Sequence, residues 1–93
     1  MKRFNWNTEK NKQLLKDRGI SFEDIEYYIS TGHLLDVIVN PNKENYKNQK
    51  MFVVEINAYG YLVPFVEDEK EIFLKTLFPS RKATKKYLNR EDS

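Results

Sequence analysis

The sequence predicts a small α+β domain, and three patterns carry the prediction. Apolar residues recur at helical spacing near the start and at strand spacing through the middle, and a basic segment behind a proline closes the chain. At 93 residues the chain has length for one core and one domain, so residues 1–93 are read as a single unit.

Asn7 can cap a first helix that runs to Asp17 or Arg18, where Gly19 stops it by accepting the left-handed conformation. Ser21 followed by Asp24 is a second capping signal, and Phe22, Ile25 and Ile29 share one face of the helix that follows, which Gly32 ends. Two helices joined by Gly19-Ile20 predict an N-terminal helical hairpin. Phe4 and Trp6, just before it, are expected to anchor the core rather than to stack on bases.

The period then changes to two. Leu35, Val37 and Val39 mark one strand; Phe52, Val54 and Ile56 a second; Tyr61 to Val66 a third; Ile72 to Phe78 a fourth. Residues 40–48 form a loop on composition, Asn57 to Gly60 a turn, and Glu67 to Lys70 a charged hairpin tip. Pro64 lacks a ladder donor, which predicts an edge or bulge position. Pro79 breaks the last strand, and Ser80 can cap a final helix to about Leu88, with residues 91–93 fraying. The expected architecture is therefore a four-stranded, largely antiparallel sheet with helices on one face and a C-terminal basic helix.

Composition excludes several classes of chemistry. There is no cysteine, so disulfides and thiolate metal sites are absent. No apolar run approaches the roughly 18 residues of a membrane helix, and the charged start lacks a signal peptide's apolar stretch, which predicts a cytoplasmic protein with no membrane partner. No Ser-His-Asp arrangement, phosphate-binding loop, dinucleotide fingerprint or paired metal-ligand spacing occurs, so no cofactor and no metal are implied.

Net charge is only +2, but it is unevenly spread. Residues 1–18 hold six Lys or Arg against Glu9 and Asp17, and residues 76–93 hold five against Glu91 and Asp92. Residues 19–40 hold Glu23, Asp24, Glu26 and Asp36 with no Lys or Arg. If the two basic ends meet in space they form one cationic face, suited to a phosphate-rich partner.

The sharpest feature is the last helix. Arg81 and Lys82 stand in its first turn, where the helix dipole disfavours cations, and Arg81/Lys85 and Lys82/Lys86 are like charges four residues apart. Local stability would place acids there; an anion docked at that end would account for what is found. His33 is the only histidine and opens a strand, a position that suits packing more readily than proton transfer. The polar loop 40–49, with Tyr46, suits either a substrate-binding flap or a plain connector.

The opening Phe4-Asn5-Trp6-Asn7-x-x-Lys10-Asn11, followed by Lys16-Asp17-Arg18-Gly19-Ile20-Ser21-Phe22, resembles the start of BrnT-type toxins. Ser80-Arg81-Lys82-Ala83-Thr84-Lys85-Lys86 resembles their C-terminal basic segment, and the order of elements agrees over nearly the whole chain. The resemblance implies a RelE-like fold and a type II toxin, a ribonuclease that cuts RNA and arrests translation. It also implies an antitoxin partner, in this family usually one with a ribbon-helix-helix part through which the pair contacts DNA.

Two positions depart from the family pattern: its histidine before the glycine is Arg18 here, and its acid after the basic pair is Tyr87. Metal-free cleavage needs cations on the phosphate and groups that move protons. Arg81 and Lys82, with Tyr87 and His33, are the candidate catalytic residues. Lys10, Arg18, Lys50, Lys85 and Lys86 are the candidates to hold RNA, on or off the ribosome. A non-catalytic module that binds protein or nucleic acid on the same fold is the alternative.

Overall fold

The structure is a computed structural model, and residues 2–39 and 50–88 are described. The chain runs β1 (Arg3–Trp6), α1 (Thr8–Arg18), α2 (Phe22–Ser30), β2 (Leu34–Val39), β3 (Lys50–Ile56), β4 (Tyr59–Glu67), β5 (Glu71–Leu74), β6 (Phe78–Pro79) and α3 (Arg81–Leu88). It is an α+β fold with three helices on one mixed sheet. The expected loop 40–49 and the expected fraying of 91–93 fall outside the described residues.

The helical hairpin forms as its caps predict. The Asn7 side chain accepts the Lys10 N–H at 2.9 Å, and Gly19, at φ +74°, donates its N–H to the Leu15 carbonyl. A reciprocal box between Ser21 and Asp24 opens α2. Asn11 fixes the two helices to each other: it accepts from the Phe22 N–H at 2.6 Å and donates to the Glu23 carboxylate at 2.8 Å. That second bond is the main reason the Glu23 carboxyl lies below its ordinary range.

The sheet order is β1-β5-β4-β3-β2, with β6 pairing β4 beyond the end of β5. Four strands were expected, and six are present among the described residues. Arg3–Trp6 is a strand, parallel to β5, with Phe4 opposite Ile72 and Trp6 opposite Leu74. Phe4 and Trp6 do anchor the core, but from the sheet, and Trp6 lies 5.7 Å from the Phe22 ring. The expected last strand is two pieces, because the chain leaves the ladder after Leu74 to bury Leu77. Gly60 is no part of the turn between β3 and β4. Asn57 and Ala58 make it alone, both at positive φ, and Ile56 already pairs with Tyr59.

Pro64 is neither at an edge nor at a bulge. It pairs with Met51 inside β4, and its carbonyl accepts the Lys75 N–H at 2.8 Å. Its nitrogen therefore faces the gap between β5 and β6, where no ladder bond is lost.

The helices do not share one face of the sheet. Phe52, Val54, Ile56, Val63, Phe65 and Leu74 meet Leu14, Ile20, Phe22 and Ile25 of the hairpin in the main core. Met51 and Val53 point to the opposite side and are buried too. What covers that side is α3. Gly60, opposite Glu55 in the ladder, shares their face, and a Cβ there would come within 3.0 Å of the Thr84 nitrogen. A sheet buried on both faces needs strands that are apolar at consecutive positions, and Met51-Phe52-Val53-Val54 is such a run.

Candidate nucleic-acid interface

Helix α3 is held to the sheet by its first turn. Ser80 donates its N–H to the Gly60 carbonyl at 2.9 Å, and its side chain accepts the Ala83 N–H at 3.1 Å. The Thr84 hydroxyl accepts the Gly60 N–H and donates to the Ser80 carbonyl, both at 2.8 Å. Gly60 thus accepts one bond and donates another to the helix start, at a backbone approach that a side chain would crowd. Ala83 and Thr84 are buried beneath.

At 100° per residue, burial of Ala83 and Thr84 turns Arg81, Lys82, Lys85 and Lys86 outward, and all four are exposed. The first turn holds no acid. The ion pairs among the described residues are those of Lys2 and Lys50 with Glu67, so no described carboxylate lies within 4.0 Å of the four α3 cations. Arg81 and Lys82, in the first turn, therefore face the opposed dipole without an ion-pair partner among the described residues, while Lys86 lies near Asp36.

Tyr87 falls on the other side of α3, over the sheet. Its hydroxyl donates to the Asp36 carboxylate of β2 at 2.6 Å, while the other Asp36 oxygen accepts the Val37 N–H. The Tyr87 bond, helped by the Val37 N–H and by Lys86, holds the Asp36 carboxyl below its ordinary range, and the same bond pushes the Tyr87 phenol above its own. Tyr87 is thus a protonated donor that pins the end of α3 to an outer strand.

The basic N-terminal helix reaches the same region from the opposite face. Lys10, Gln13 and Arg18 of α1 line a polar cavity of about 390 Å³ whose other wall is Thr76, Leu77 and Phe78. Phe78 is three residues, at most about 11 Å of extended chain, from Arg81. The two basic segments therefore approach β6 from opposite faces of the sheet, with Asp17 as the one acid in the cavity wall among the described residues.

Two candidates stand apart. Lys50 is paired with Glu67 at 3.2 Å and lies five residues along β3 from Glu55, the partner of Gly60, which is about 16 Å along the strand. Lys2 and then Lys50 hold the Glu67 carboxyl below its ordinary range. His33 is half-buried between α2 and β2. Its ring stands edge-on to Tyr28 at 5.2 Å, its N–H goes to the Tyr28 carbonyl, and its own carbonyl accepts from Glu55. Among the described residues no hydrogen bond or ring contact joins it to α3, and no three His, Asp or Glu side chains converge as a metal-binding group. Asp36 is the site residue that sequence reading missed; nothing local marks a carboxylate as the partner of a tyrosine 51 positions on.

Fold and site together describe an α+β domain with a cationic edge and an outward-facing basic helix. No family model, no curated protein and no solved structure matches the chain. Among the described residues no helix is long and apolar enough to cross a membrane.

Proposed function

We propose that this chain is a type II toxin of RelE-like fold, a metal-independent endoribonuclease that acts on RNA in the cytoplasm, arrests translation and is neutralised by a cognate antitoxin. The observation that carries the reading is the first turn of α3: Arg81 and Lys82, exposed, without a described carboxylate partner, and set on a helix start whose backbone is fixed to Gly60. The motif resemblance at both ends of the chain supports it, as does the approach of Lys10 and Arg18 to the same edge.

In such cleavage the 2′-oxygen attacks the adjacent phosphorus and gives up its proton, and the bond to the 5′-oxygen breaks as that oxygen takes a proton. The Arg81 guanidinium suits two phosphate oxygens at once, and Lys82 adds charge to the crowded phosphate. Lys10, Arg18, Lys85 and Lys86 hold the strand on either side. Tyr87 is a positioning residue in this scheme, since its proton is committed to Asp36.

A second reading, a non-catalytic binding module on the same fold, is favoured by one observation. Neither Tyr87 nor His33 makes a described contact with Arg81 or Lys82, so the cations gather without an evident proton carrier beside them.

Inducible expression with an RNA-cleavage readout decides between the two. The toxin reading expects growth arrest and cut RNA, both lost in Arg81→Ala. Single-stranded RNA bound without cleavage supports a nucleic-acid-binding module, and neither binding nor cleavage sinks the toxin reading and leaves a protein-binding module. If the α3 cations contact phosphate, the slope of log affinity against log salt falls by about 0.7 for Lys82→Ala and stays put for Lys50→Ala.

A further inference from the structure

The cleft between α1 and the segment 76–78 has more than cations in its wall. Lys10, Gln13, Leu14, Asp17 and Arg18 stand on one face of α1, within about 140° of arc at roughly 100° per residue. Opposite them are Thr76, Leu77 and Phe78. Leu14 and Leu77 are buried and give the cleft an apolar floor. Its volume, about 390 Å³, lies at the small end of the roughly 300–1,000 Å³ of ligand clefts. That is room for one nucleotide and too little for a duplex.

Among the described residues none of the side chains of Lys10, Gln13, Asp17, Arg18 and Thr76 makes a hydrogen bond or an ion pair. A wall built for phosphate alone has no use for Asp17, whose charge repels it. An acid set beside two cations, and paired with neither, suits a ligand that brings both a phosphate and N–H donors.

The bases differ in what they offer a carboxylate. On its Watson–Crick edge guanine carries two adjacent donors, N1–H and the 2-amino group, which match the two oxygens of one carboxylate. Adenine and cytosine set a single amino group beside a ring-nitrogen acceptor. Uracil sets one N–H between two carbonyls. Each of these three puts an acceptor against the carboxylate, and guanine alone does not.

We propose that this cleft receives one guanine nucleotide, with N1–H and the 2-amino group donating to the Asp17 carboxylate and the flat face of the base on Leu14 and Leu77. Gln13, one turn before Asp17, donates to the guanine O6, and Lys10 and Arg18 take the neighbouring phosphates. As a subsite for RNA it rests on the proposed function and adds the base selected, Asp17 being the residue that sets the preference. Among the described residues β6 pairs with β4 alone, so its outer side is open for a strand to round it. Phe78 stands in the cleft wall, at most about 11 Å of extended chain from Arg81, so the same strand reaches the α3 cations.

The test uses the intact chain and labelled 2′-O-methyl hexamers, which attack by the 2′-oxygen cannot cut, read by fluorescence anisotropy. One hexamer is all uridine, and the others carry a single central guanosine, adenosine or cytidine. The guanosine hexamer is expected to bind at least tenfold more tightly than the other three, as one well-matched bidentate base contact provides. Asp17→Asn, at an exposed position, removes that preference. Arg81→Ala weakens all four hexamers and leaves their ratio. If Asp17→Asn instead tightens all four alike, Asp17 is a solvated acid and the proposal is overturned; a preference that survives the change overturns it too. GMP and AMP titrated by calorimetry separate a free nucleotide from a strand. GMP bound at least tenfold more tightly than AMP, with no hexamer bound, keeps the guanine site and removes the RNA reading. RNA bound or cut without base preference overturns the site and leaves the toxin reading standing. Binding of neither GMP nor any hexamer overturns the site as well.

Discussion

Replacing Arg81 with glutamate should make the protein more stable while it abolishes RNA binding. The change touches no buried atom, because Arg81 is exposed and lies within 4.0 Å of no described carboxylate. Removing a cation from the first helical turn recovers about 0.3–1 kcal/mol, and placing an anion there adds a similar amount. The pair with Lys85 turns from like to unlike, in the favourable order of acid before base, for about 0.2–0.5 kcal/mol each way. Screening at an exposed surface places the total at the low end of these ranges, about 1 kcal/mol. For a domain of this size that raises Tm by about 4–8 °C. Thermal unfolding followed by circular dichroism at low salt reads it, with Arg81→Ala expected in between. If Arg81→Glu lowers Tm at low salt, Arg81 is held by a contact that the described residues do not contain. The claim that α3 carries its cations against its own stability then fails.

Gly60→Ala forces a Cβ to within 3.0 Å of the Thr84 nitrogen and 3.2 Å of the Ala83 carbonyl carbon, both backbone atoms that cannot swing aside. A loss of about 1–3 kcal/mol is expected in chemical denaturation, with RNA affinity falling in parallel because α3 is displaced. Ala58→Gly relieves a left-handed alanine at φ +63° in the β3–β4 turn and should stabilise by about 1 kcal/mol, read as a shifted denaturation midpoint at unchanged slope. Tyr87→Phe removes the bond to Asp36 and its pH dependence with it. The Asp36 carboxyl is depressed from 3.8, so its contribution is complete above that value and fades as acid protonates the folded state. The Tyr87 phenol is raised from 10.0, so its contribution is complete below that value and fades as base removes its proton. Wild type should therefore exceed Tyr87→Phe by a constant margin from pH 5 to 9, and the two melting curves should converge in strong acid; a margin that persists there refutes the bond's role.

The local signals in the sequence were sound, and what escaped them was non-local. Asn7, Gly19 and the Ser21–Asp24 box act through bonds within four residues, so the bounds of the helical hairpin were legible, although of Leu14 and Leu15, both expected to make its apolar contacts, only Leu14 is buried. Strand β1 has the alternation of a strand, with Phe4 and Trp6 in and Arg3 and Asn5 out, but over only four residues. Its partner is β5, almost seventy residues on, and a parallel pairing leaves no turn to announce it. The two-faced burial was written in Met51-Phe52-Val53-Val54, where consecutive apolar residues outweigh the alternation around them. Pro64 misled because its constraint is a missing donor rather than a place in the sheet, and the break between β5 and β6 meets that constraint beside an inner strand.

The site divides along the same line. Charges at i, i+4 and a helix dipole are local quantities, so the outward face of α3 could be read directly, and all four of its cations are exposed. Tyr87 belongs to that helix by sequence and to the sheet by contact; Ala83 and Thr84 set the rotation that points it at Asp36 rather than toward Arg81. The consequence is mechanistic. A helix that gathers four cations outward and commits its one phenol inward is well equipped to bind and orient a phosphate, and poorly equipped to move a proton by itself. The acceptor for the 2′-hydroxyl proton, if the chain cuts RNA, is then a phosphate oxygen of the substrate or solvent, or a carboxylate such as Asp36 once Tyr87 lets go of it. Asp36→Asn decides between those sources. It keeps the shape of the side chain and an acceptor for Tyr87, so a loss of cleavage with RNA affinity unchanged assigns the base to the carboxylate. Cleavage left intact returns that role to the substrate and water.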